Sequence, residues 1–159
     1  LEVRTKSTNI DVFKNIKPMK NVIIAYSLNP EIIVKGFEQK TPTLKKRIDS
    51  INSLQKLGWH VGLRFDPLIN YSKNKLIYKK FFDFIFSKIQ VEKIHSVTTG
   101  HFRMPNNFFN KLVNIRPEDS LIFNKLKNEK LLEYQTQRKE CEDELIKVID
   151  YTKLWDENE

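Results

Sequence analysis

The chain has 159 residues, 40% of them hydrophobic and 30% charged, with a formal net charge of +8. That is the range of one soluble domain with a workable core, and no apolar run reaches the ~18 residues that a membrane span needs. One cysteine, Cys141, excludes a disulfide framework within the chain and a thiolate metal site made from this chain alone, and it fits a reducing, cytoplasmic compartment.

The opening LEVRTKS has no apolar signal core. A chain that begins on Leu1 inside an apparent strand reads as a piece of a longer protein. The first strand covers residues 2–6, with β-branched Val3 and Thr5. Thr8 or Asn9 can cap a short helix through Ile10, Val12, Phe13 and Ile16. Residues 22–26 are apolar on both faces, as in a parallel strand covered on two sides. Asn29 reads as an N-cap with Pro30 at the first helical position, opening a short helix with Ile32, Ile33 and Phe37. Thr41-Pro42 repeats the signal. The helix after it is expected to bury Leu44, Ile48, Ile51, Leu54 and Leu57 and to solvate Lys45, Lys46, Asp49, Asn52, Gln55 and Lys56, closing at Gly58.

A third strand over 59–65 ends at Asp66-Pro67. A loop through Asn70, Tyr71 and Ser72 leads to a helix over 75–89 that carries Phe81, Phe82, Phe84 and Phe86. The fourth strand, 94–98, runs into Gly100-His101-Phe102-Arg103, and a helix over 107–115 follows. Residues 117–130 read as irregular. A last amphipathic helix over 137–152 sets Cys141, Leu145, Val148 and Ile149 on one stripe, which makes Cys141 a buried structural thiol. The expected division is 1–117 as βα units and 118–159 as an irregular segment with a C-terminal helix.

Alternating strands and helices give an α/β fold with right-handed crossovers and a parallel sheet. Four βα units are too few to close an eight-stranded barrel, so they make either a small open sheet or half of a barrel. In both, ligands bind at the carboxyl ends of the strands. Those ends are polar here: Thr5-Lys6-Ser7, Ser27-Leu28-Asn29, Arg64-Phe65-Asp66, and Thr98 through Arg103. Lys6 offers charge and donors to a carboxylate or a ribose hydroxyl, and Ser27 can donate or accept. Lys6 can equally snorkel at a strand end, and Ser27 can be a turn residue. Arg64 and Asp66 share side-chain parity, so they can pair with each other or set a charge inside a barrel. His101 has no metal-ligand companion at useful spacing, and no Gly-rich phosphate loop or serine nucleophile elbow is present.

The net charge has two readings. It can mark a polyanionic partner, DNA or another nucleic acid, in which case the chain is a non-catalytic binding or assembly module. It can also be compositional bias, since Lys45, Lys46 and Arg47 on one helix and Lys79 and Lys80 on another are scattered rather than gathered.

The segments RTKS, YSLNPE, FEQKTPTLKKRIDSINSLQKLGWHVGLRFDPLI and TTGHFRMP, in that order over residues 1–117, resemble the spore photoproduct lyase family of radical S-adenosylmethionine proteins. The resemblance implies a partial (β/α) barrel of six units, of which this chain is the C-terminal half. It implies a four-iron four-sulfur cluster on a CxxxCxxC loop, S-adenosylmethionine on the cluster, and hydrogen abstraction from the substrate by a deoxyadenosyl radical; in the repair enzyme the substrate is a thymine dimer in DNA. The family's strand-end lysine and serine fall on Lys6 and Ser27. The expected cofactor contacts are Lys6, Ser27, Arg64 and Asp66, and the expected substrate contacts are His101 and Arg103. The CxxxCxxC motif is not in this sequence, so the resemblance puts the cluster ligands upstream of Leu1, in a partner segment. It assigns no metal ligand here and leaves the chain inactive on its own. The Arg64-Phe65-Asp66 segment is more polar than the matching strand of the repair enzymes, and their basic C-terminal hairpin has no counterpart after Pro117.

Overall fold

A computed structural model describes residues 1–68, 74–101 and 106–115, with helical positions at 139, 143 and 145. The elements are β1 (Glu2–Thr5), α1 (Asp11–Lys14), β2 (Ile23–Ser27), α2 (Glu31–Phe37), α3 (Leu44–Lys56), β3 (His60–Leu68), α4 (Asn74–Phe86), a 3-10 turn (Val91–Lys93), β4 (Ile94–His101) and α5 (Asn106–Ile115). All strand pairs are parallel, and the sheet order is β1-β2-β3-β4. Sequential order without reversal is the winding of a (β/α) barrel arc; a doubly wound sheet reverses its strand order.

Register divides the side chains by face. Ile24, Tyr26, Val61, Leu63, Phe65 and Val97 point one way. They meet the apolar stripe of α3, with Ile48, Ile51 and Leu54, and the aromatic stripe of α4, with Tyr78, Phe81 and Phe82. Phe65 is met edge-on by Phe81 at 5.5 Å, Phe82 at 5.1 Å and Phe86 at 6.3 Å. Each fully buried ring contributes about 1.5–3 kcal/mol. The first crossover is tied down differently: α1 buries no residue of its own, and the Trp59 indole Nε1 donates to the Phe13 carbonyl at 3.0 Å. Leu145 joins the main core, whereas Cys141, Val148 and Ile149 lie outside the described residues.

The opposite face carries Glu2 and Arg4, Ala25 and Ser27, Gly62, Arg64 and Asp66, Ser96 and Thr98. β2 is apolar on both sides, as its sequence suggested, but its neighbours are polar, and Glu2, Arg4 and Thr98 are exposed. Among the described residues, that face is left partly open.

Several local expectations shift. β3 runs through Pro67 to Leu68, across a cis Asp66–Pro67 bond, with a register irregularity between Phe65 and Leu68. β4 reaches His101. The N-cap of α2 is Pro30, not Asn29, whose side chain is turned inward. The N-cap of α3 is Thr43, whose hydroxyl accepts from the Lys46 amide; Thr41 is used elsewhere. Gln55 is buried, because its amide exchanges hydrogen bonds with the Gln90 backbone, and Leu57 is the residue left exposed. The loop at Asn70, Tyr71 and Ser72, residues 117–130 and the body of the last helix fall outside the described residues. No helix among the described residues is long and apolar enough to cross a membrane.

Candidate functional site

Lys6 and Ser27 stand side by side at the carboxyl ends of β1 and β2, as the pairing of Thr5 with Tyr26 requires. The Lys6 Nζ donates to Glu38 Oε1 at 2.9 Å, and the lysine stays partly open while the carboxylate is almost fully covered. An ammonium has three donors, so two remain. The Ser27 hydroxyl makes no hydrogen bond among the described residues.

Behind these two residues lies a buried network. Arg47, on α3, is fully buried. Its Nη2 meets Glu38 Oε2 and the Thr41 hydroxyl, the latter at 2.8 Å. Its Nη1 donates to the Ser27 carbonyl at 3.1 Å and its Nε to the Pro42 carbonyl at 3.0 Å. One guanidinium thus fixes the end of β2, the chain before α3 and the carboxylate that holds Lys6. Asn29 Nδ2 donates to Glu38 Oε1 at 2.9 Å. Because a carboxylate only accepts, that bond fixes the amide's orientation, and its Oδ1 is buried with no partner among the described residues. Burial pushes the Glu38 carboxyl up, but hydrogen bonds from Asn29, Lys6 and Arg47, together with the Arg47 charge, outweigh it and hold the group below the usual carboxylate range.

Arg64 and Asp66 are placed differently. They do not pair with each other. The Arg64 guanidinium folds back over Gly62, where an added Cβ would lie 2.9 Å from it. Nε and Nη2 grip Glu2 at 3.1 and 2.7 Å, and the remaining donors reach the Leu63 carbonyl and the carbonyl and hydroxyl of Ser96. Arg64 is turned toward the amino ends of the strands, away from Lys6. Asp66 sits against Gly100, whose missing side chain leaves room for the carboxylate, and faces Arg4 Nη1 at 3.6 Å. Hydrogen bonds from Arg64 and then Arg4 hold the Glu2 carboxyl at about 2. At the same amino end, His60 and His95 meet edge to face at 5.7 Å, and burial, then the neighbouring His60 and Arg64, lowers the His95 pKa. The backbone of His101 ends β4; Arg103 lies outside the described residues.

Lys6 and Ser27 thus lie at strand ends, as their sequence positions suggest, while the network that holds them is not apparent from those positions. Arg47, which follows Lys45 and Lys46 in the sequence as if part of one charged face, is instead fully buried. Its spacing from Leu44 and Ile51, three and four residues, places it on the buried stripe of α3, and that was the available signal. Glu38 lies just past α2, and both it and Arg47 fall inside the FEQKTPTLKKRI stretch that carries the family resemblance.

The family model described as spore photoproduct lyase matches residues 1–140. The chain belongs to the spore photoproduct lyase family. A spore photoproduct lyase of Clostridium acetobutylicum is 22% identical over 117 residues, which is 74% of this chain and 34% of that relative. A solved spore photoproduct lyase double mutant with bound AdoMet and dinucleoside spore photoproduct superposes with a TM-score of 0.67 at 14% identity, covering 73% of this chain and 35% of that one. A cysteine-to-serine mutant gives 0.66 over the same shares. The chain thus spans about a third of the length of these spore photoproduct lyases, and over that third the fold is theirs. Family membership makes it a radical S-adenosylmethionine lyase-related protein.

Proposed function

We propose that this chain forms the carboxyl-end rim on which a spore photoproduct lyase-like protein holds S-adenosylmethionine. The observation that carries the reading is Lys6: a partly open ammonium, anchored by one hydrogen and presenting two, beside an uncommitted Ser27 hydroxyl. A methionyl carboxylate and ribose hydroxyls match those donors and acceptors. The relative solved with bound AdoMet supports the same reading. When bound, S-adenosylmethionine supplies the hydrogen-abstracting chemistry of a lyase. This chain's residues supply orientation: Lys6 takes the carboxylate, Ser27 the sugar, and the Arg47 network keeps both from drifting.

A four-iron four-sulfur cluster does not fit the residues here. The sequence has one cysteine, and no group of three or more His, Cys, Asp or Glu among the described residues could hold a metal ion. Its ligands belong to a partner segment carrying a CxxxCxxC motif, and no step is assigned to this chain through it. Arg64, whose guanidinium is occupied by Glu2 and Ser96, braces the strands rather than the cofactor, whereas the partly exposed Asp66, beyond the level of Ser27 on β3, stays proposed as a cofactor contact. His101 and Arg103, at and after the end of β4, are the side chains proposed for the substrate, a DNA photoproduct of the kind named with the solved relative.

Titration calorimetry of S-adenosylmethionine against the purified protein tests the reading. Lys6→Ala is expected to weaken binding about tenfold or more, because it removes a charge-assisted contact. Equal affinity in both proteins would remove Lys6 from the site.

A further inference from the structure

Lys6 is the only cation whose Nζ reaches Glu38 among the described residues, and Glu38 is itself pinned by a fully buried arginine. Such an arrangement costs desolvation of two charges, and replacing it with apolar side chains is often neutral or favourable for stability. Stability alone is a weak reason to keep it. Its effect at the rim is specific. Glu38 Oε1 is shared by Lys6 at 2.9 Å and Asn29 at 2.9 Å, so the ammonium is held at one point on a carboxylate that cannot rotate. Glu38 Oε2 is meanwhile occupied by Arg47 and lies within 3.5 Å of the Thr41 hydroxyl. Two cations face one anion, which leaves one positive charge in excess at the open end.

Resting on the S-adenosylmethionine reading above, we infer that Glu38, braced by Arg47, is the positioning residue that aims Lys6 at the carboxylate of an amino-acid-bearing ligand. Neither Glu38 nor Arg47 touches the ligand; both act through Lys6. The opposing possibility is that Glu38 competes with the ligand for the ammonium. The two differ in sign. Aiming predicts that loosening Glu38 weakens carboxylate recognition; competition predicts that it strengthens it.

A charge-neutral double variant separates these from simple electrostatics. Glu38→Gln with Arg47→Met removes one negative and one positive charge, so the excess at the rim is unchanged while the anchor is lost. Binding of S-adenosylmethionine and of 5′-methylthioadenosine, which lacks the amino-acid carboxylate, is measured by calorimetry on the wild-type protein, the double variant and Glu38→Gln alone. Thermal melts by circular dichroism show which variants are folded. The readout is the ratio of the two affinities, which a general loosening of the fold would not shift. The expected result is a ratio about tenfold lower in the folded double variant, because the charge-assisted bond is no longer aimed. An unchanged or higher ratio overturns the positioning role. A wild-type protein that binds neither nucleoside, or binds both equally, overturns the S-adenosylmethionine reading itself and the positioning role with it. If Glu38→Gln alone unfolds through its unpaired arginine, the double variant still gives the answer.

Discussion

Among the described residues two arginines are buried, and they do opposite things. Arg64, on the polar face, turns its guanidinium back toward the amino ends of the strands, where its donors are taken up by Glu2, Leu63 and Ser96. That region closes on itself. Arg47, behind the carboxyl ends, is equally covered, but it engages a carboxylate that passes the charge on to a half-open lysine. That region ends in donors without acceptors. Both ends of the sheet carry buried ion pairs, and they differ in that only the Lys6 end leaves a charged group with hydrogen-bonding capacity to spare.

The strongest break in this comparison is Arg47→Ala. Glu38 would keep Lys6 and Asn29 but lose its buried cation, the Ser27 and Pro42 carbonyls would lose their donor, and stability is expected to fall by about 3–5 kcal/mol, seen as a drop in melting temperature on the order of 10 °C. Arg64→Met should cost less, about 1–3 kcal/mol, because Glu2 is a third exposed and can return to water. If Arg64→Met proved the costlier change, the self-contained region would be the structural keystone and the comparison would be reversed. The acid response sharpens the same point. Glu2 has a folded value of about 2 against an ordinary 4.5, chiefly through its hydrogen bond from Arg64. A depressed carboxylate stabilises the fold above pH 4.5 and loses that contribution as the pH falls toward about 2. Urea unfolding across that interval should therefore show a shallower pH dependence in Arg64→Met than in the wild type. At the small end, Lys35→Ala breaks only an exposed pair with Glu31, and its effect on the melt should stay within about 0.5 kcal/mol.

The order of elements was legible because apolar periodicity carries it: period two in β3, the 3.6-residue stripe of α3, the phenylalanine run of α4. Lys6 and Ser27 were legible because a strand end is visible wherever an apolar run stops. Partnerships were not. Glu2 and Arg64 are 62 positions apart, and only the β1-β2-β3 register brings them together. Arg64 and Asp66 were read together from shared parity, which places two side chains on one face but does not say which way along the strand a long side chain turns. The cap of α2 was misjudged because Asn29 looks like a capping residue whether its amide reaches forward to the helix or inward to Glu38. Local chemistry permits both, and the tertiary position of Glu38 decides.

The Lys6–Glu38 bond has one more consequence. A free lysine is among the most mobile side chains, and fixing it costs up to about 2 kcal/mol of rotamer entropy. Here that entropy is surrendered when the chain folds, since Glu38 already holds the ammonium at 2.9 Å. On the proposed reading, a ligand arriving at the rim would find the lysine still, and the ordering that would otherwise oppose association would no longer be part of the binding equilibrium.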